Sequence, residues 1–176
     1  ISAQTVSPSH APEVYLVTMG PGETVYERYG HNAIWVRDTV DGTDIVYNYG
    51  TFDFGHSTAE VARFVGRFAM GRPQYWLGTM TMARAVEIYT YFKRDVELQQ
   101  LALPAAKRIE LAQLLATNAL PENRVYTYDY FLDNCSTRVR DALDTVLGGS
   151  LERRFTVLTT DWTFRSESVR LTTPAG

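Results

Sequence analysis

Tyr128-Asp129-Tyr130-Phe131-Leu132-Asp133-Asn134-Cys135-Ser136-Thr137-Arg138 passes from an extended aromatic run into a helix, and it carries the one cysteine of the 176 residues. Residues 125–131 are aromatic and β-prone. Asp133 or Asn134 then offers a side-chain oxygen as a helix N-cap. From Cys135 to Leu147, Val139, Ala142, Leu143 and Val146 recur at helical spacing, and Gly148-Gly149 stops the helix. A thiol in the first turn of a helix meets unpaired N–H groups and the positive end of the helix dipole, which favour the thiolate. The same N–H groups can stabilise the oxyanion that forms when a thiolate attacks a carbonyl. Asp133 opposes this unless its carboxylate is engaged, because a nearby negative charge raises a thiol pKa.

A lone cysteine also reads as a small buried hydrophobe. The polar neighbours Asp133, Asn134, Ser136 and Thr137 make this a poor address for a core residue. A cysteine nucleophile needs a base, and there are three histidines. His10 lies in a Ser/Pro-rich lead, and His56 lies in a loop before a helix. His31 opens a strand directly after Gly30, where the backbone can be approached closely. A strand-end histidine satisfied by its neighbours is the plain alternative.

Around His31 the chain reads as a hairpin. Residues 31–37 alternate, with His31, Ala33 and Trp35 on one face and Asn32, Ile34 and Val36 on the other. Asp41-Gly42 is a hairpin turn. Residues 44–49 return as a second strand closed by Gly50. His31 begins one arm and Asn48 ends the other, so a contact between them needs only the hairpin. Asn48 can then hold the imidazole tautomer; an ordinary turn-forming asparagine is the alternative.

The other elements are read in chain order. Residues 1–12 read as a flexible lead because Pro8 and Pro12 deny regular structure. Residues 13–19 are a first strand, and Gly20-Pro21-Gly22 is a turn. Ser57 or Thr58 with Glu60 starts a helix to about Met70. Residues 75–77 are a short strand, Thr81 caps a helix to about Arg94, and residues 96–103 alternate as a strand. Pro104 opens a helix to about Asn118. Residues 150–176 carry β-prone patches such as 155–158. Residues 13–176 are expected to form one α+β domain, an antiparallel sheet packed against helices.

Composition excludes some functions. Hydrophobic residues make up 45% and charged residues 21%, ordinary for a globular chain. A net charge of −3 gives no electrostatic reason to expect nucleic acid. No His-x-x-x-His or comparable spacing points to a metal, and no phosphate loop or Gly-x-Ser-x-Gly elbow is present, so neither metal nor cofactor is expected. The opening Ile1-Ser2-Ala3-Gln4-Thr5-Val6-Ser7-Pro8 reads equally as the start of a mature chain left by signal-peptide removal and as a simple boundary.

Two motifs together resemble a known family. Tyr29-Gly30-His31-Asn32-Ala33-Ile34-Trp35-Val36, with Tyr47-Asn48-Tyr49-Gly50-Thr51-Phe52-Asp53-Phe54 after it, is the first. Asn123-Arg124 through Tyr126-Thr127-Tyr128-Asp129-Tyr130-Phe131 into Asp133-Asn134-Cys135-Ser136-Thr137-Arg138 is the second. They resemble the N-terminal periplasmic domain of the bacterial lipoprotein N-acyltransferases called Lnb, over nearly the whole chain. The resemblance implies a circularly permuted papain-like (NlpC/P60-like) fold, with His before Cys along the chain. It implies Cys135 as nucleophile, His31 as base and Asn48 in the third, polar position. It further implies a phospholipid acyl donor, a diacylated lipoprotein acceptor, and a periplasmic site at a membrane surface. Members of the family often continue into a further segment and a membrane part. Tyr49, Tyr128 and Asn134, flanking the two motifs, are assigned to substrate contact. Tyr49, Phe52, Phe54, Tyr128, Tyr130 and Phe131 either line an acyl channel or belong to the core. A cysteine peptidase, amidase or lipid hydrolase, and a non-catalytic lipid-binding module, are the alternatives.

Overall fold

The computed structural model describes residues 11–23, 27–53 and 57–173. Among them lie six strands and six helices. The strands are β1 (Glu13–Met19), β2 (His31–Asp38), β3 (Thr43–Thr51), β4 (Gln74–Met80), β5 (Val96–Gln100) and β6 (Val125–Thr127). The helices are α1 (Thr58–Ala69), α2 (Met82–Tyr91), α3 (Ala105–Asn118), α4 (Cys135–Val146), α5 (Ser150–Phe155) and α6 (Phe164–Thr172). The strands form one sheet in the order β5-β1-β2-β3-β4-β6. Every neighbouring pair is antiparallel. The expected α+β class with an antiparallel sheet is the observed one.

Alternation along the strands gives the sheet two apolar faces. On one face Val14, Ile34, Val36, Tyr47 and Leu77 bury against Leu111, Ala112 and Leu115 of α3 and Val139, Ala142 and Val146 of α4. On the other, Val17, Met19, Ala33 and Val46 bury against Met82, Ala85 and Tyr89 of α2. The second face is the smaller one. Asp44 pins its helix by accepting hydrogen bonds from Trp35 Nε1 (2.8 Å) and the Met82 N–H (3.2 Å).

Several boundaries differ from the sequence reading. Sheet pairing extends β3 through Thr51, with a register shift between Asn48 and Thr51. β5 stops at Gln100 and β6 at Thr127. Beyond β6, Asp129 Oδ1 accepts the N–H groups of Phe131 and Leu132, both at 2.8 Å, and the chain turns back into a bridge between Asp129 and Asp133. The side-chain acceptor competes with the ladder there, so the extended run ends early. The tail expected to hold β-prone patches forms α5 and α6 instead; Thr163 caps α6 reciprocally with Ser166. Pro12, assigned to the lead, is buried, and its carbonyl accepts from Arg108 Nη1 at 3.0 Å. Residues 1–10 of the lead, His10 among them, and Phe54 and His56 lie outside the described residues.

Candidate active site

β2 begins at His31 because Gly30 turns the chain just before it. Gly30 has φ +69°, and a Cβ there would sit 3.1 Å from the Met19 carbonyl oxygen, which only glycine accommodates easily. His31 and Asn48 are diagonal neighbours on one face of the β2–β3 ladder. His31 Nε2 makes a short hydrogen bond to Asn48 Oδ1. An amide oxygen only accepts, so Nε2 carries the proton and Nδ1 is left for the thiol. Asn48 also bonds the Tyr89 hydroxyl, and the Tyr89 ring stacks on the imidazole with centroids 6.4 Å apart.

α4 delivers Cys135 to the same place. Of the two possible caps, Asn134 takes the role: its Oδ1 accepts the N–H groups of Ser136 (2.9 Å) and Thr137 (3.0 Å). Its Nδ2 donates to the Tyr130 carbonyl at 2.9 Å, tying the helix start to the preceding turn. Among the described residues no acceptor is paired with the Cys135 N–H, which stands at the first position of the helix. Asp133 does not cap. It forms a two-pronged ion pair with Arg138, with Nη2 to Oδ2 at 2.6 Å. The guanidinium neutralises the carboxylate that would otherwise raise the thiol pKa.

The bulge in β3 brings Gly50, at φ +88°, against both partners. A Cβ on Gly50 would lie 3.6 Å from Cys135 Cβ, 3.7 Å from His31 Cε1 and 3.8 Å from Tyr128 Cε2. Burial raises the Cys135 thiol pKa. The hydrogen bond and charge of His31, the Asn32 N–H and the Ser136 hydroxyl outweigh it, and the thiol is lowered to about 7. A thiol held there is about half ionised at neutral pH. Alkylation by iodoacetamide is therefore expected to rise through a midpoint near pH 7. A titration midpoint at the free-cysteine value of about 8.5 would contradict this arrangement.

The hydrogen bonds also involve residues that the sequence reading left without a role. Thr18 Oγ1 donates to Asn32 Oδ1 (3.0 Å), and Asn32 Nδ2 donates to Ser136 Oγ (2.8 Å). Ser136 Oγ lies 3.9 Å from Cys135 Sγ. This chain links β1, β2 and the start of α4, so register in the sheet sets the position of the thiol. Asn32 stood in the quoted motif, facing away from His31; its role needed α4 on that face. Tyr89 shares the buried face of α2 with Met82 and Ala85, a spacing that by itself announces only core packing.

The site opens into a cavity of about 570 Å³, within the usual range for ligand pockets. His31, Asn48, Tyr128, Asn134 and Cys135 all line it, as do Phe52, Tyr130 and Phe131. The rings are packed in series: Phe52 on Tyr75 at 4.9 Å, Tyr75 on Tyr128 at 4.2 Å, and Tyr128 edge-on to Tyr130 at 5.4 Å. Burial first, then the charge of Cys135, pushes the Tyr128 hydroxyl far above its ordinary pKa, so it stays protonated. Tyr49 is placed elsewhere. It is buried in the core, receives a hydrogen bond from Asn118 Nδ2 at 3.0 Å, and does not line this cavity. Strand alternation explains the split, since Asn48 and Tyr49 point to opposite faces of β3. Phe131 and Phe164 of α6, which also line the cavity, pack at 4.9 Å.

Among the described residues no cluster of histidine, cysteine and carboxylate side chains is arranged to hold a metal. No helix among them is long and apolar enough to cross a membrane. No curated protein matches the chain, and no solved structure does. A family model does match, that of the Lnb N-terminal periplasmic domain, over residues 3–167. Both motifs, and with them His31, Asn48 and Cys135, fall inside the matched span, and the chain belongs to the Lnb N-terminal periplasmic domain family.

Proposed function

We propose that this domain is a cysteine-dependent acyltransferase. It takes an acyl chain from a phospholipid as a thioester on Cys135 and passes it to the N-terminal amine of a diacylated lipoprotein. The observation that carries the reading is the lowered thiol of Cys135 beside His31, at a helix N-terminus and at the head of an aromatic cavity. The order His31, Asn48, Cys135 along the chain supports a circularly permuted papain-like arrangement.

In this mechanism His31 Nδ1 takes the Cys135 proton and the thiolate attacks the donor ester carbonyl. The oxyanion is stabilised by the free Cys135 N–H and the α4 dipole. Collapse breaks the ester C–O bond; the lysophospholipid alkoxide leaves with the proton held by His31. The acceptor amine then attacks the thioester, His31 takes a proton from the nitrogen, and the Cys135 thiolate leaves as the amide forms. Asn48 holds the ring through Nε2, keeping Nδ1 aimed at sulfur and then at the incoming amine. The apolar rings suit an acyl chain better than a peptide, which favours lipid over protein as the donor.

The test is intact-mass analysis after incubation with phospholipid vesicles, then with a diacylglyceryl-cysteine peptide bearing a free amine. A fatty-acyl mass increment on the wild-type chain is expected, absent from Cys135→Ala, and it should disappear as N-acylated peptide forms. Lysophospholipid and free fatty acid without N-acylated peptide would make the protein a lipid hydrolase. No adduct and no product would leave a binding module and overturn the proposal.

A further inference from the structure

Helix α1 has the build of a helix that lies on a surface. Val61, Phe64, Val65 and Phe68 recur at i, i+3, i+4 and i+7, an apolar stripe roughly 100° wide. Yet none of the helix's twelve residues is buried. Phe64 is half-buried and stacks near Phe52, but Val61, Val65 and Phe68 remain 40%, 55% and 48% exposed, and Met70 after them is 70% exposed. The polar side is basic. Between Ser57 and Pro73 lie Arg63, Arg67 and Arg72 against a single acid, Glu60, which caps Ser57. This excess of positive charge sits in a chain of net charge −3.

The stripe is continuous with the catalytic cavity. Phe68 meets Tyr130 edge-on at 5.9 Å, and Tyr130 meets Tyr128, the ring beside Cys135, at 5.4 Å. Beside Tyr130, the turn tip exposes Phe131 (45%) and Leu132 (69%). An amphipathic helix with arginines on its polar face partitions into the headgroup–acyl boundary of a bilayer, and more strongly when the headgroups are anionic.

We propose that α1 and the 130–132 tip form the face by which this domain docks on a phospholipid bilayer carrying anionic headgroups. Docked there, the aromatic series from Phe68 to Tyr128 leads an acyl chain from the bilayer to Cys135 without crossing bulk water. The purpose of the surface rests on the acyl-donor reading above, while docking itself is measured without chemistry.

The experiment is flotation of the Cys135→Ala chain with vesicles of phosphatidylethanolamine and phosphatidylglycerol, and with phosphatidylcholine alone. Flotation with the anionic vesicles is expected. Val61→Glu with Val65→Glu should reduce the bound fraction about tenfold or more, with far-UV circular dichroism unchanged. Arg63→Gln, Arg67→Gln and Arg72→Gln together should bring anionic-vesicle binding down to the phosphatidylcholine level and remove its salt dependence. In the Cys135-containing chain, Val61→Glu with Val65→Glu should leave turnover of a water-soluble short-chain ester unchanged, because neither valine lines the cavity. Flotation unaffected by the glutamates would overturn the proposal. So would an absence of flotation, or a dimer that the glutamates dissociate, which would make a second copy the occupant. If the chain floats as expected but the mass test finds no adduct, the docking surface stands and the acyltransferase reading falls.

Discussion

His31→Ala is expected to lower kcat/KM for acyl transfer by roughly 10²- to 10⁴-fold, the usual contribution of a positioned general base. Two losses combine. The proton acceptor disappears, and so does the stabilisation of the thiolate. With His31 gone, burial still raises the Cys135 thiol, while the Asn32 N–H, the Ser136 hydroxyl and the α4 N-terminus remain to act against it. The alkylation midpoint should therefore move upward from about 7, in the direction burial dictates. A thiol of lowered pKa is ionised above that value, so raising it removes nucleophile at neutral pH. Asn48→Ala is expected to cost less activity, because the base survives and only its tautomer and orientation loosen. Paired measurements of kcat/KM and alkylation midpoint separate the variants. A His31→Ala protein with wild-type transfer would remove the imidazole from the mechanism.

Gly50→Val should also abolish transfer, while the fold survives. Gly50 holds φ +88°, where a β-branched residue is strained by about 1–3 kcal/mol. That strain corresponds to a melting temperature lower by roughly 2–12 °C in a chain of this size. The larger effect is local. A Cβ alone would already touch Cys135 Cβ, His31 Cε1 and Tyr128 Cε2 at 3.6–3.8 Å. The two further methyls of valine extend among those groups and into the cavity that Gly50 lines. They force the imidazole and the sulfur apart, and a separation of about 1 Å costs on the order of a hundredfold in rate. Circular dichroism should remain folded, kcat should collapse, and the Cys135 midpoint should rise toward an unassisted value. Full transfer by Gly50→Val would mean that the β3 bulge does not set the gap between base and nucleophile.

The contrast between Asn48 and Tyr49 shows how far pattern carries. Alternation in residues 31–37 and 44–49, with Asp41-Gly42 between them, was enough to pair His31 with Asn48, because a hairpin's contacts are local. Tyr49 was drawn toward the site by its neighbourhood in the chain, but one residue along a strand is the opposite face. The tail misled for a related reason. Phe155, Val157 and Leu158 have β propensity, yet no sheet edge takes them up, and α5 and α6 form from the Leu, Glu and Arg around them and the cap at Thr163. Asn32 and Tyr89 gained roles through partners on α4 and Asn48 respectively, which no local pattern announces.

Sequence alone determined what is short-range: the hairpin that joins His31 to Asn48, the cap and helix that hold Cys135 at a positive helix end, and the two motifs that identify the family. Tertiary structure decided that these halves, about a hundred positions apart, meet at one end of the sheet. It also decided that Arg138 neutralises Asp133, that the β3 bulge sets Gly50 against both the imidazole and the thiol, and that the rings from Phe68 to Tyr128 run in series. The reason is that propensity, caps and turns act through neighbouring residues. Contacts between distant segments depend on register and packing, which exist only once the whole sheet has formed.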